Sequence, residues 1–222
     1  NWDVAASARV DRFIANSKAV AGRIEKYYRR SAEVIHPPVD CAFFTPSETE
    51  TERTYFLVVT ALVPYKRIDL AVAACKQRAY PLKVVGDGPD RKRLQASAGA
   101  SVEFLGSVEG EDLRRLYRGA IALLMPGEED FGIGAVEAQA CGTPVVALGR
   151  GGAVETVIPG ETGLHFAEPT PSGLAAALDK CRGMTFNKAS LRAHALGFSR
   201  DVFREKMESR LAALWREFKE PK

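Results

Sequence analysis

At 222 residues, 46% hydrophobic and 27% charged, the chain is long enough for one large globular domain or a domain with an appended piece. Its formal net charge of +3, with Asp and Glu spread among the basic residues, argues against a nucleic-acid partner, and no apolar run approaches the roughly 20 residues of a membrane span. The first residues, NWDVAASARVDRF, lack the zones of a signal peptide, and Cys41, Cys75, Cys141 and Cys181 read as reduced thiols packed as small hydrophobes, so the expected compartment is the cytoplasm.

In chain order, DRFIAN (11–16) reads as a strand, and Ser17 is placed to cap a helix through KAVAGRIEKYYRR. AEVIHPP follows as a short strand ended by Pro37 and Pro38. Residues 37–54, carrying PPVD and SETETER, have no periodicity and read as a linker. Five short apolar segments come next: YFLVVTAL, LKVVGD, VEFLG, AIALLM and PVVALG. Strands apolar on both faces are buried on both faces, and all but the last are followed by an amphipathic helix such as EDLRRLYRG. The expected fold class is therefore α/β, a Rossmann-like doubly wound parallel sheet over about residues 54–185. The last helix, about 199–219, carries Phe203, Met207, Leu211, Leu214, Trp215 and Phe218 at helical spacing. It reads as a packing stripe, covered in part by residues 1–36 or available for association.

Sheets of this kind bind ligands at the carboxyl ends of their strands. Four segments fall there: Val63-Pro-Tyr-Lys66, Gly86-Asp-Gly-Pro89, Gly106-Ser-Val108 and the acidic turn at 127–134. The acidic turn is the most informative. Glu129 and Glu137 are eight residues apart, one ahead of a short helix and one expected in its first turn, with Gly132 and Gly134 between them. A Gly turn aims free helix N–H groups at an anion while flanking carboxylates accept hydroxyl protons, which suits a phosphate beside sugar hydroxyls. On spacing alone, an acidic surface turn ahead of an amphipathic helix fits equally well.

Gly86-Asp87-Gly88-Pro89 is too short for a dinucleotide fingerprint, which argues against NAD, and a plain strand-to-helix turn fits it as well. His36, His165 and His194 have no neighbouring metal ligand, and consecutive acids such as Glu128-Glu129-Asp130 rarely converge on one cation. No metal is expected.

Seven landmarks in series, FIANS, VIHPPVD, YFLVVTALVPYKRIDL, VVGDGP, VEFLGSV, EDFGIGAVEAQACGTPVVA and GGAVETVIPGETG, resemble the retaining glycosyltransferases of family 4. These have the GT-B architecture of two facing Rossmann-like domains. The resemblance covers the carboxyl-terminal, donor-binding half plus the last strand and helix of the other half. It implies residues 1–36 as a remnant of the acceptor-side domain, 37–54 as linker, 55–198 as the nucleotide-sugar-binding domain and 199–222 as the crossing helix.

The family's site residues transfer onto this sequence one by one. Glu137 would accept hydrogen bonds from the nucleotide ribose, and Glu129 would hold donor-sugar hydroxyls and orient the anomeric carbon. The amides around Phe131, Gly132, Ile133 and Gly134 would face the distal phosphate. Lys66 would offset charge building on the leaving diphosphate. Gly86 belongs to the ligand loop after its strand, and Ser107 and Val108 to the loop that holds the base through backbone groups.

The implied reaction is transfer of a hexosyl group from a nucleoside diphosphate sugar to a hydroxyl acceptor with retention, with no cofactor. The EDFGI subgroup leans toward GDP-mannose and polysaccharide biosynthesis. The acceptor, a glycan or lipid-linked glycan, would be met through the missing amino-terminal half, so this half alone is expected to be inactive. Lys18, Arg23, Lys26, Arg29 and Arg30 leave peripheral contact with the inner face of a membrane open beside a solvated basic face.

Two departures stand out: Ala61 where many members have arginine, for which Arg67 or Arg150 could substitute, and Gly134-Ala135 where relatives often have a Thr/Val-Pro pair. The rival readings are a non-catalytic nucleotide-sugar binding module and a sugar-nucleotide epimerase or phosphorylase of the same architecture. A phosphorylase would need a pyridoxal phosphate lysine that no motif marks.

Overall fold

A computed structural model describes residues 2–49 and 51–219. Residue 1 of the expected first unit, residue 50 of the linker and residues 220–222 of the last segment lie outside the described residues.

The chain opens with a small unit: α1 (Trp2–Ser7), β1 (Phe13–Ala15), α2 (Lys18–Tyr28) and β2 (Ala32–Val34). The two strands pair in parallel, with Ile14 opposite Glu33. Ser17 caps α2 as expected, its extended backbone letting the hydroxyl accept from the Val20 N–H at 3.0 Å. The described residues of segment 37–54 form neither helix nor long strand, yet they are not a free linker. Val39, Cys41 and Phe44 are buried, and Arg192, Arg114 and Arg118 donate to the carbonyls of Cys41, Phe43, Phe44 and Thr45. The arginines replace a ladder in satisfying these carbonyls.

The main sheet has six strands, β3 (Tyr55–Val59), β4 (Leu82–Val85), β5 (Val102–Gly106), β6 (Ala120–Met125), β7 (Val145–Leu148) and β8 (Gly163–Phe166). All neighbours are parallel, in the order β5-β4-β3-β6-β7-β8. The connections carry a 3-10 turn (Pro64–Lys66), α3 (Ile68–Arg78), α4 (Arg91–Ser97), α5 (Gly110–Gly119), α6 (Ile133–Ala140) and α7 (Ala153–Thr156), followed by α8 (Pro171–Arg182), α9 (Lys188–Leu196) and α10 (Arg200–Lys219). The doubly wound expectation is met.

Alternation along β3 shows how the core is made. Phe56 and Val58 point to the face covered by α3 and α8, while Leu57 points to the face covered by α5 and α6. All three are at most 1% exposed, and such burial typically contributes about 1.5–3 kcal/mol per large side chain. All four cysteines are buried and free, and burial pushes the Cys75 and Cys141 thiols up to about 12.

One expectation needs correction. The strand over 55–62 ends at Val59, because Leu62 bonds to the Asp87 carbonyl and the chain turns at Pro64. The stripe on α10 is only partly covered: no residue of that helix is buried, and Leu211, Trp215 and Phe218 are 53%, 57% and 73% exposed. Phe203, Met207 and Leu214 are half-buried, and Arg210 pairs with Glu33 of the first unit at 2.5 Å. Among the described residues, no helix is long and apolar enough to cross a membrane.

Candidate functional site

The strand order changes direction between β3 and β6. The crevice at the carboxyl ends of those two strands is where an open α/β sheet receives its ligand. β3 delivers Lys66 to it through the Pro64–Lys66 turn, and β6 delivers Glu129 through Pro126-Gly127. A Cβ at Gly127 would sit 2.7 Å from the Tyr65 and Lys66 carbonyl oxygens, so only glycine lets the two loops meet. Lys66 Nζ donates to Glu129 Oε2 at 2.5 Å, and both side chains are under a fifth exposed.

Two adjoining cavities open on this pair. One, of about 170 Å³, is lined by Thr60, Lys66, Met125, Glu129, Gly132 and Gly134. The other, of about 340 Å³, takes in Asn16, Pro37, Tyr65, Lys66, Glu129 and Phe131. The smaller cavity meets the start of α6, whose Ncap is Gly132 at φ 90. First-turn N–H groups of a helix lack intrahelical partners and favour an anion. Lys66, Glu129, Phe131, Gly132, Ile133 and Gly134 are thus brought together.

Glu137 lies deeper than expected. The helix starts only at Ile133, which puts Glu137 in its second turn rather than its first. Its Oε2 accepts from the Tyr117 hydroxyl at 2.8 Å, and Tyr117 is fully buried. A Cβ at Gly134 would lie 3.4 Å from that hydroxyl, so the Tyr117–Glu137 pair stands directly behind the cavity wall. Burial pushes the Glu137 carboxyl above its ordinary 4.5, and the Tyr117 hydrogen bond resists the shift.

For a raised carboxyl, the contribution to stability is present below the ordinary value and is lost as pH rises through the raised one. A carboxylate accepts hydroxyl hydrogen bonds better than a carboxylic acid, so if Glu137 meets the ribose, as the resemblance implies, nucleotide affinity should fall on acidification with a midpoint above 4.5. Titrations across that range check this. Glu137→Gln should flatten the profile, and Tyr117→Phe, by removing the bond that lowers the value, should move the midpoint further up.

Gly86 and Val108 lie outside both cavities. Gly86 has a structural reason instead: a Cβ there would fall 1.9 Å from the Thr60 carbonyl oxygen, and its φ is +124. Val108 is partly buried against the face of the core under α5 and α6. Neither suggested substitute for an arginine at Ala61 reaches the cavities. Arg67 is held by Asp69 at 3.2 Å, and Arg150 is exposed. Among the described residues, no three His, Cys, Asp or Glu side chains are placed to hold a metal ion.

The family model for glycosyl transferases group 1 matches residues 42–182, well over half of the chain. The chain belongs to the group 1 glycosyl transferases. The D-inositol 3-phosphate glycosyltransferase of Salinispora arenicola is 37% identical, over 87% of this chain and 53% of its own. That of Mycobacteroides abscessus is 30% identical, over 85% and 48%. This group 1 chain therefore spans about half the length of the curated relatives it matches. Sucrose-phosphate synthase of Thermosynechococcus elongatus superposes with a TM-score of 0.85 at 25% identity, covering 97% of this chain and 61% of that one. HepE of Anabaena, solved in complex with UDP-glucose, gives 0.84 at 23% identity, covering 95% and 66%. The last two carry the GT-B fold comparison.

The candidate site also rests on residues that spacing did not reveal. Gly151 and Gly152 press against the acidic turn: Glu129 and Gly151 form a parallel bridge, and the Gly152 N–H donates to the Glu129 carbonyl at 2.6 Å. A Cβ at Gly152 would fall 2.3 Å from the Phe131 Cα. The landmark GGAVETV was visible in sequence, but the only signal of its role is the glycine pair itself.

Proposed function

We propose that the chain is the donor-binding half of a retaining hexosyltransferase that takes its sugar from a nucleoside diphosphate and passes it to a hydroxyl acceptor, with no metal or other cofactor. The observation that carries this reading is the Lys66–Glu129 pair at the switch point, 2.5 Å apart and facing the start of α6. Lys66 and the first-turn N–H groups meet the diphosphate, so the charge that builds on the departing group is met by a cation and dipoles already in place. Glu129, released from Lys66 or sharing it, accepts from the sugar hydroxyls. Glu137 takes the ribose from behind Gly134.

Residues 1–36 and α10 then belong to the acceptor side of the molecule and its crossing back, and turnover needs the remainder of that side. Acceptor chemistry, the place of the reaction at the inner face of a membrane in the cytoplasm, and a part in polysaccharide biosynthesis belong to this proposal as well. Resemblance to the EDFGI subgroup favours GDP-mannose as donor, whereas the UDP and UDP-glucose of the HepE complexes make UDP the first nucleotide to try.

The test is calorimetric titration of the chain with UDP, GDP and ADP and their hexose conjugates. Saturable binding of one base, lost in Glu137→Ala, is expected. Binding of none would remove the donor-site reading from this chain, and turnover by the chain alone would remove the division of labour.

A further inference from the structure

Outside the cavity pair, the Glu155 carboxylate on α7 is buried and hydrogen-bonded. Its side chain is 7% exposed. Oε1 accepts the Lys18 N–H at 2.8 Å and the Ala19 N–H at 3.3 Å, Oε2 accepts the Lys18 N–H at 3.0 Å, and His36 Nε2 lies 3.0 Å from Oε2. The carboxylate thus occupies the start of α2, 137 residues away in sequence, and offsets its helix dipole. Burial alone would raise this carboxyl, but the His36 hydrogen bond and the two amides hold it below its ordinary value.

His36 continues the connection. Its ring stacks on Phe131 of the acidic turn with centroids 5.3 Å apart, and meets Phe198, just ahead of α10, at the same distance edge-on. On its other side, α7 is joined to the same turn through Gly152 N–H to Glu129 carbonyl and Thr156 hydroxyl to Phe131 carbonyl, at 2.6 and 3.4 Å. A closed circuit therefore runs from α2 through Glu155 and α7 to Glu129, and back through Phe131 and His36. Arg23 of α2 adds an exposed ion pair to Asp130.

From this circuit we infer that Glu155 and His36 are positioning residues: they latch the first unit to the acidic turn, so that the docking of residues 2–36 sets the order of the loop that carries Glu129. The functional weight of the latch rests on the donor-site reading. The latch itself does not, because it is a physical coupling between two segments.

The test compares amide hydrogen exchange in the chain with Glu155→Ala, Glu155→Gln and His36→Phe, without ligand, and then repeats the comparison as UDP and GDP titrations. In Glu155→Ala, exchange at Lys18 and Ala19, at Gly152, whose N–H is bonded to the Glu129 carbonyl, and at Ala135, bonded to Gly132, should accelerate together by at least about tenfold, with β3 and β6 still protected. Glu155→Gln, which keeps an acceptor for the amides, should recover part of that protection. His36→Phe, which keeps the ring and drops the bond to Glu155, should accelerate exchange at Gly152 and Ala135 less than Glu155→Ala does.

Acceleration confined to α2 would overturn the inference. So would loss of protection throughout the sheet in both Glu155 variants, which would make Glu155 a residue of general stability. If the parent chain binds no nucleotide, the donor reading falls while the exchange comparison still decides the latch.

Discussion

Lys66→Ala is expected to weaken nucleoside diphosphate binding by about 10- to 100-fold, the loss of one charge-assisted contact of about 1.5–3 kcal/mol. Two effects add in that variant. The phosphate loses its cation, and Glu129, under a fifth exposed, loses its partner and presents an uncompensated carboxylate to an incoming anion. A double-mutant cycle with Glu129→Gln separates them. If repulsion dominates, the double variant binds the bare diphosphate nearly as well as the parent. If the direct contact dominates, it stays weak. Lys66→Arg should recover little, because a planar fork does not replace a compact ammonium in a cavity of about 170 Å³. Since the pair is mostly shielded from solvent, the loss should persist at raised salt, unlike that of a surface contact. An unchanged dissociation constant would remove Lys66 from the phosphate site. In a protein carrying the remaining half, the same substitution should lower turnover by roughly 10²–10³, the usual consequence of deleting one preorganised group facing developing charge.

How much of this was legible depends on how local each signal is. The strands stood out because both faces of each are buried, giving unbroken apolar runs such as AIALLM, of which five of six residues are buried. Ser17 was legible because a cap acts within three residues. Lys66 and Glu129 were placed by resemblance, and spacing alone left the acidic turn undecided. Their contact across 63 residues belongs to the topology. Glu155 shows the limit most clearly. Nothing near it in sequence indicates that its carboxylate caps a helix 137 residues earlier. The same holds for His36, which nothing nearby in sequence pairs with Glu155 or places between Phe131 and Phe198. Gly86 was assigned to the ligand loop, and its glycine is explained by the Thr60 carbonyl instead. On α10, a helical period of apolar residues marks a stripe, and the structure leaves Leu211, Trp215 and Phe218 of it exposed. Periodicity shows which face is apolar, not what covers it.

Gly152→Ala is expected to be the most damaging single-methyl change in the candidate site. At this position φ is −67, so backbone conformation is not the obstacle. Space is: the new Cβ would fall 2.3 Å from Phe131 Cα and 2.4 Å from the Asp130 carbonyl oxygen, both main-chain atoms that cannot rotate away. Relief requires either α7 or the 129–131 segment to move by about an ångström. Overpacking of this kind costs about 1–3 kcal/mol, which in a chain of this length lowers the melting temperature by about 2–4 °C per kcal/mol. The effect on binding should be larger than the effect on stability, because a shift of about 1 Å in a positioning loop can cost about 10²-fold. Gly22→Ala is the control: it lies within α2 with nothing inside 4 Å of its new Cβ, and should stabilise by about 0.5–1 kcal/mol without touching the site. If Gly152→Ala melts as the parent does and keeps nucleotide affinity, then α7 does not fix the acidic turn. If it melts a few degrees lower and loses affinity while Gly22→Ala gains stability, then the backbone contact beneath Glu129 determines where that carboxylate stands.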